Sequence, residues 1–369
     1  MPRDLSHLLR SRGARTLCAM SIAFALLVWA LRDMSPLAVW RAVGKARIEW
    51  LGLGLITFLA SYSVRAQRWG TLLRAHCDPG SLGIRHSAVF VGFAGNNLLP
   101  AHAGELARAT LLHRLGRVPF GAALGSIVAE RMLDMIIVLL FLLAPFLGGI
   151  VGETAGGTLG ALHLGSAVSA IAVLCLVLFV AASWPQSIVV LAGRGTKVVG
   201  LSAFTPRIEA GVRALLNGLA AFQNPKRTLI ALVETICIWT LTATTYWAGM
   251  AAFGISSPGA TGALFVQSLA ALGFAIPSSP GSFGPFEAAT RFALAQYYIP
   301  TDTIVAYTLT LHFLMYSSVT AIGLGFVARL GLSWGDLFQR LQPSHAMPSG
   351  HGAVLRGSLQ NGAKSDLGL

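Results

Sequence analysis

Acidic side chains are scarce in this chain: 14 Asp and Glu stand against 27 Lys and Arg, and charged residues make up only 11% of 369. Soluble domains carry about 25% charged residues. With 54% hydrophobic residues and a mean hydropathy of +0.68, the composition reads as an integral membrane protein instead. Cysteine is sparse too. Cys18, Cys77, Cys175 and Cys237 are scattered without a CxxC spacing, which argues against a disulfide framework or a zinc site. No P-loop is present, so ATP is not the expected energy source, and no motif calls for a metal or cofactor. The formal charge of +13 would suit a nucleic-acid binder. Its Lys and Arg residues, however, gather in short loops between apolar runs, the distribution that sets membrane topology and meets anionic headgroups. No nucleic-acid partner is expected.

What remains is a series of apolar runs. The first, Leu17 to Leu31, follows Arg10, Arg12 and Arg15 and ends in Trp29, Arg32 and Asp33 without a small-residue cleavage site. It reads as a retained helix over about 16–32, behind a cytoplasmic segment 1–15. Residues 36–48 mix Leu37, Trp40 and Val43 with Arg41, Lys45 and Arg47, as in a short interfacial helix. Further spans are expected over about 49–69, 119–147, 164–184, 228–253 and 303–330. The segment 203–227 has an amphipathic pattern suited to a cytoplasmic leaflet, and 333–369 is polar, Gly/Ser-rich and expected to be disordered. Pro348-Ser349-Gly350-His351 resembles a phosphatase element, but the downstream His that chemistry needs is missing from the eighteen residues that follow.

Two shorter apolar runs, 87–99 and 260–276, stop at breaks of similar composition. The first reads Asn96-Asn97-Leu98-Leu99-Pro100, then Gly104, Glu105 and Arg108. The second carries Pro277, Pro280, Gly281, Gly284, Glu287 and Arg291. Each break places a Pro, a Gly four residues on, a Glu, and an Arg one helical turn later. Counting Lys and Arg in the loops puts both termini and the 185–228 loop in the cytoplasm. The first break must then enter from the cytoplasmic side and the second from outside. The expected fold is therefore an all-α polytopic bundle with two re-entrant helical hairpins in an inverted-topology repeat. Its halves are about 49–147 and 228–330 within a transmembrane domain 16–332. The basic residues at 32–47 fall on the wrong side of this arrangement and are assigned to the interface.

Charges at membrane depth must be paired or face water. Glu105 with Arg108, and Glu287 with Arg291, are spaced to share a helix face. Together with Asn96 and Asn97 they are the candidate substrate-binding residues. Arg would give a phosphate bidentate contacts, and the glycines would let backbone approach. Glu130, Arg131 and Asp134 form a second group, in which Arg131 can reach Asp134 at i+3; it suits either coupling or a structural role, and Glu234 joins it. His312 reads as a packed, hydrogen-bonded histidine.

The three ordered elements Asn96-Asn97-Leu98-Leu99-Pro100…Gly104-Glu105…Arg108, Glu130-Arg131…Asp134 and Pro277…Pro280-Gly281…Gly284…Glu287 resemble the lysylphosphatidylglycerol-synthase transmembrane family over roughly residues 15–332. The resemblance implies a flippase-like domain. In two-domain relatives it moves aminoacylated phospholipid between leaflets, while a separate cytosolic domain makes that lipid. Stand-alone members are linked to isoprenoid-lipid and hopanoid pathways and to archaeal glycosylation. After residue 332 this chain has only a polar tail, so the aminoacyl-transferase reaction is not implied. His102 stands where relatives often carry Arg. The expectation is a lipid translocase of a bacterial inner membrane, acting on a lipid with a polar or phosphate headgroup. Its partners would be the anionic lipid surface and a separate lipid-synthesis enzyme. A membrane-embedded enzyme acting on a lipid phosphate and a non-catalytic assembly factor are the alternatives, and the sequence carries no signal for oligomeric state.

Overall fold

The computed structural model describes residues 12–99, 103–143, 222–275 and 279–332. Pro100, Pro277, His102, the expected helix 164–184, residues 203–221 of the amphipathic segment and the tail 333–369 lie outside them. The described residues form ten α-helices and no strands. In chain order these are α1 (Arg12–Leu31), α2 (Pro36–Gly44), α3 (Ile48–Leu73), α4 (Leu82–Leu98), α5 (Gly104–Gly116), α6 (Phe120–Leu142), α7 (Pro225–Ala252), α8 (Gly259–Ala275), α9 (Pro285–Ala295) and α10 (Thr301–Arg329). A 3₁₀ turn, Pro280–Ser282, sits between α8 and α9.

Local chemistry explains several boundaries. Ser35, Ser81 and Asn224 each cap the helix that follows, accepting from the N–H of Ala38, Ile84 and Arg227. Pro36 and Pro225 occupy the first turn, where the missing N–H has no partner to lose. α4 starts at Leu82, earlier than the apolar run at 87, because Arg85 is accommodated inside the bundle. Its guanidinium donates to the carbonyls of Ala66, Pro79 and Gly80 at 3.0, 3.3 and 2.6 Å. Gly70 makes room for it: a Cβ there would lie 2.7 Å from Arg85 Cζ.

α7 and α10 are long and apolar enough to cross a membrane, and α1 with α2 would add a third span if that pair, bent by 77°, is counted as one. α3, at 26 residues, and α6, at 23, approach them in length but carry the interior charges described below. By contrast α5 has 13 residues and α9 has 11, about 20 and 17 Å of helix, short of a hydrocarbon core about 30 Å thick.

α3 and α7 pack along their full lengths and run antiparallel. At one end Arg47 N donates to Ala252 O at 3.0 Å; at the other Arg227 Nη1 donates to Arg74 O at 2.8 Å. Between them Gly54 lies against Thr245, and the hydroxyls of Thr57 and Thr245 share a 3.0 Å hydrogen bond. Within α3–α10 the other principal contacts come in matched pairs when α3–α6 are exchanged with α7–α10, while α1 and α2 make their principal contacts with α9 and α10 alone. α4 packs on α5 as α8 packs on α9, α5 on α6 as α9 on α10, and α4 on α10 as α8 on α6. Two apolar cores result, one centred on Trp69, Val89, Leu111 and Ile127 with Val319 and Val327 of α10 joining it, the other on Met250, Val266, Phe286 and Tyr307.

Candidate functional site

Arg65 and Arg68 stand one turn apart on α3, and Glu130 and Asp134 one turn apart on α6, so the two helices present matched rows of opposite charge. Arg68 is fully buried and grips Asp134 as a fork, Nη1 to Oδ1 at 2.6 Å and Nη2 to Oδ2 at 3.3 Å. α7 completes the enclosure. Thr235 Oγ1 accepts from Arg68 Nη1 at 2.9 Å, and the Trp239 indole N–H donates to Asp134 Oδ1 at 2.9 Å. Arg65 Nη1 approaches Asp134 Oδ2 at 3.8 Å, while the rings of Tyr62, Phe93 and Trp239 surround its guanidinium at 5.6–5.8 Å.

α5 brings Arg108 to the same place. Its Nη2 donates to Glu130 Oε2 at 2.7 Å, and its guanidinium lies over Trp69 at 5.1 Å. Gly92 of α4 and Gly104 of α5 make this possible. A Cβ on Gly104 would collide with the carbonyl of Gly92, and one on Gly92 would lie 2.8 Å from Arg108 Cβ. At the rim, Arg131 Nε lies 3.3 Å from Glu105 Oε1 and Nη1 lies 3.8 Å from Asp134 Oδ2; these two side chains are 45% and 31% exposed. Glu234 is buried beside the group and accepts from Thr71 Oγ1 at 3.1 Å. Four arginines thus face four carboxylates. Their hydrogen-bonding capacity is not exhausted: the Nε–H groups of Arg65, Arg68 and Arg108 and Oε1 of Glu130 have no hydrogen-bond partner.

The second break is organised differently. Neither expected helix-face pair forms: Arg108 meets Glu130 and Glu105 meets Arg131, and Glu287 and Arg291 likewise take other partners. Glu287 Oε2 accepts from Gly284 N at 2.6 Å, and its Oε1 lies 2.6 Å from Nδ1 of His312 on α10. His312 Nε2 is 3.0 Å from Gly281 O. Gly281 and Gly284 have φ of +69° and +102°, backbone that a side chain disfavours, and the Glu287–His312 pair fastens both. Phe274, Phe283 and Phe286 enclose the imidazole. Arg291 points away, to the end of α1. Its Nη1 donates to the carbonyls of Trp29, Ala30 and Arg32 at 2.9, 2.8 and 2.6 Å, and Nη2 lies 3.4 Å from Asp33 Oδ2. It closes the last turn of that helix.

The two breaks touch. α4 packs on the 3₁₀ turn, and Asn97 Nδ2 donates to Thr320 Oγ1 at 2.9 Å and to Tyr316 O at 3.4 Å. The Tyr316 ring in turn meets Phe283 at a tilt and His312 edge-on. Asn96 Oδ1 is buried without a partner. Among the described residues no three His, Cys, Asp or Glu side chains gather as metal donors.

The family model described as the lysylphosphatidylglycerol synthase TM region matches residues 17–323. The chain belongs to that family. As a lysylphosphatidylglycerol-synthase TM-region protein with apolar helices of spanning length, it is a multi-pass membrane protein of the lipid and envelope-synthesis class. A curated relative named Glycosyltransferase AglD, from Haloferax volcanii, is 22% identical over 318 residues, covering 79% of this chain and 50% of the relative. The chain thus spans about half the length of that relative. No solved structure matches it significantly.

Of the family-motif residues singled out from sequence, Arg108, Glu130, Arg131, Asp134 and Glu105 come together, with Glu234 beside them. Asn97, Gly281, Gly284 and Glu287 gather instead at the second break, and Arg291 belongs to the α1 seat. Sequence reasoning did not single out Arg65 and Arg68, or their α7 partners Thr235 and Trp239. The signal was available: basic residues at i, i+3 on one helix match acids at i, i+4 on another.

Proposed function

We propose that this protein is a lipid translocase of the cytoplasmic membrane, moving a phospholipid or isoprenoid-type lipid with a polar or phosphate headgroup between leaflets. One observation carries the reading: a balanced arginine–carboxylate cluster is buried between α3, α5, α6 and the spanning-length α7, yet three of its guanidinium N–H groups are unused. Buried ionisable residues in a membrane bundle mark substrate paths, and free guanidinium donors suit a phosphate. Glu105 and Arg131 at the accessible rim would meet the headgroup first. Arg108 would then receive it, with Glu130 and Asp134 taking back the arginines on release.

The packing supports alternating access. α4–α5 and α8–α9 are hairpins whose second helices are too short to span, which suits re-entrant segments. The exchange of halves maps α3 onto α7, and these two run antiparallel. A repeat whose corresponding helices point in opposite directions has inverted topology, and its site falls where the halves meet.

A second reading, an enzyme acting on a lipid phosphate, is favoured by the name of the Haloferax relative. One assay separates the two. Purified protein is placed in liposomes with headgroup-labelled lipid, and leaflet exchange is followed with an impermeant quencher alongside product analysis. Exchange without covalent change, slowed at least about tenfold by Glu105→Gln or Arg131→Gln, is the expected result. A new lipid product would establish the enzyme, and wild-type exchange in both variants would remove the rim from the pathway.

A further inference from the structure

A pocket of about 340 Å³ lies at the end of the bundle opposite the charge cluster, where the α2–α3 junction meets the α7–α8 turn and the start of α10. Lys45 and Arg47 line it with Phe253, Gly254 and Thr303, and no carboxylate does. The nearby Asp302 is engaged elsewhere, its Oδ1 accepting from Ser35 N at 2.7 Å. Arg47 is fixed: its Nη2 donates to Ala251 O at 2.6 Å, and its guanidinium lies over Trp50 at 5.8 Å. Lys45 is exposed and has no ion-pair partner among the described residues.

The surroundings identify the ligand's other part. α2 turns 77° from α1 and buries none of its residues. Beside the basic pair it exposes Leu37 and Trp40, and α3 exposes Ile48, at 58%, 75% and 79%. Large apolar and aromatic groups near cations, at a helix bent sharply from its neighbour, are the pattern of a headgroup-level contact with lipid. A pocket of this size is at the scale of a small-molecule site.

We infer that this pocket binds an anionic phospholipid, its phosphate between Lys45 and Arg47 and its tails along Leu37, Trp40 and Ile48. This site is separate from the buried cluster and stands whether or not lipid crosses the protein. It also accounts for the basic residues at 41–47 that loop charge alone places on the wrong side of the membrane.

The test titrates the full chain in detergent with short-chain phosphatidic acid, phosphatidylcholine of the same tails, and inorganic phosphate, reading occupancy by native mass spectrometry. Phosphatidic acid is expected to bind the wild type at least about fivefold more tightly than phosphatidylcholine. Lys45→Gln should weaken phosphatidic acid about fivefold and leave phosphatidylcholine unchanged. Lys226→Gln, a basic residue at the opposite end, should change nothing. Four results would overturn the site: Lys45→Gln binding phosphatidic acid like wild type, Lys226→Gln weakening it equally, phosphatidylcholine matching phosphatidic acid, or free phosphate competing as well as the lipid. Leaflet exchange measured on the same preparation tests the translocase reading separately, since loss of exchange with intact phosphatidic-acid binding counts against that reading alone.

Discussion

His312 Nδ1 lies 2.6 Å from Glu287 Oε1, and a single proton must serve that contact. The opposite ring nitrogen faces Gly281 O, which can only accept, so Nε2 carries a hydrogen. Glu287 Oε2 already receives the Gly284 N–H. Either the imidazole is doubly protonated against a carboxylate, or the carboxyl donates to a neutral ring. Both arrangements fasten the break between α8 and α9.

Replacing either member leaves the other buried without its partner. Glu287→Leu and His312→Leu are each expected to destabilise the protein by about 1–3 kcal/mol. The double variant should lose less than the sum, with a coupling of about 0.5–3 kcal/mol. Equilibrium unfolding in detergent measures all four corners of the cycle, and strict additivity would show that the contact is incidental.

The Arg68–Asp134 pair predicts a sharper asymmetry. Asp134→Asn strips the fully buried Arg68 guanidinium of its counter-charge, and Arg65 of its nearest one. A loss of about 3–5 kcal/mol is expected. Arg68→Leu with Asp134→Leu removes both charges and should restore part of it. If the double variant unfolds as easily as Asp134→Asn, the unpaired charge is not what destabilises.

Two glycine substitutions should move stability in opposite directions. Gly104→Ala sets a methyl into the carbonyl of Gly92 and should prevent the first hairpin from closing, seen as loss of the monodisperse peak on gel filtration. Gly52→Ala, inside α3 where a Cβ meets nothing within 4 Å, should stabilise by about 0.5–1 kcal/mol. Equal tolerance of both would contradict the packing of α4 on α5.

Arg291→Ala should free the last turn of α1 rather than alter the buried cluster. Its guanidinium holds three carbonyls at that helix end, so protease sensitivity near residues 29–33 should rise. Lipid exchange that fell while α1 stayed protected would place Arg291 on the substrate path after all.

Sequence pattern located the helices well where polarity was low, and the two breaks were legible because Pro, Gly and Glu recur at similar offsets in both. Partnerships were harder to read. Glu287 and Arg291 have the spacing of a helix-face pair, but α10 and the end of α1 offer each a closer partner through tertiary packing. Local spacing cannot report such contacts. Arg85 hid the start of α4 for a related reason: an arginine inside an apolar run looks like a boundary until backbone carbonyls from a neighbouring helix and loop receive it. The partners of Arg65 and Arg68 were not legible, because position along one helix does not say which helix stands opposite.

Asn97 reaches from the tip of one hairpin to Thr320 and Tyr316, beside the ring that meets Phe283 in the other break. The joint ties the end of α4 to the stretch of α10 that also carries His312, so the anchoring of one break is shared with that of the other.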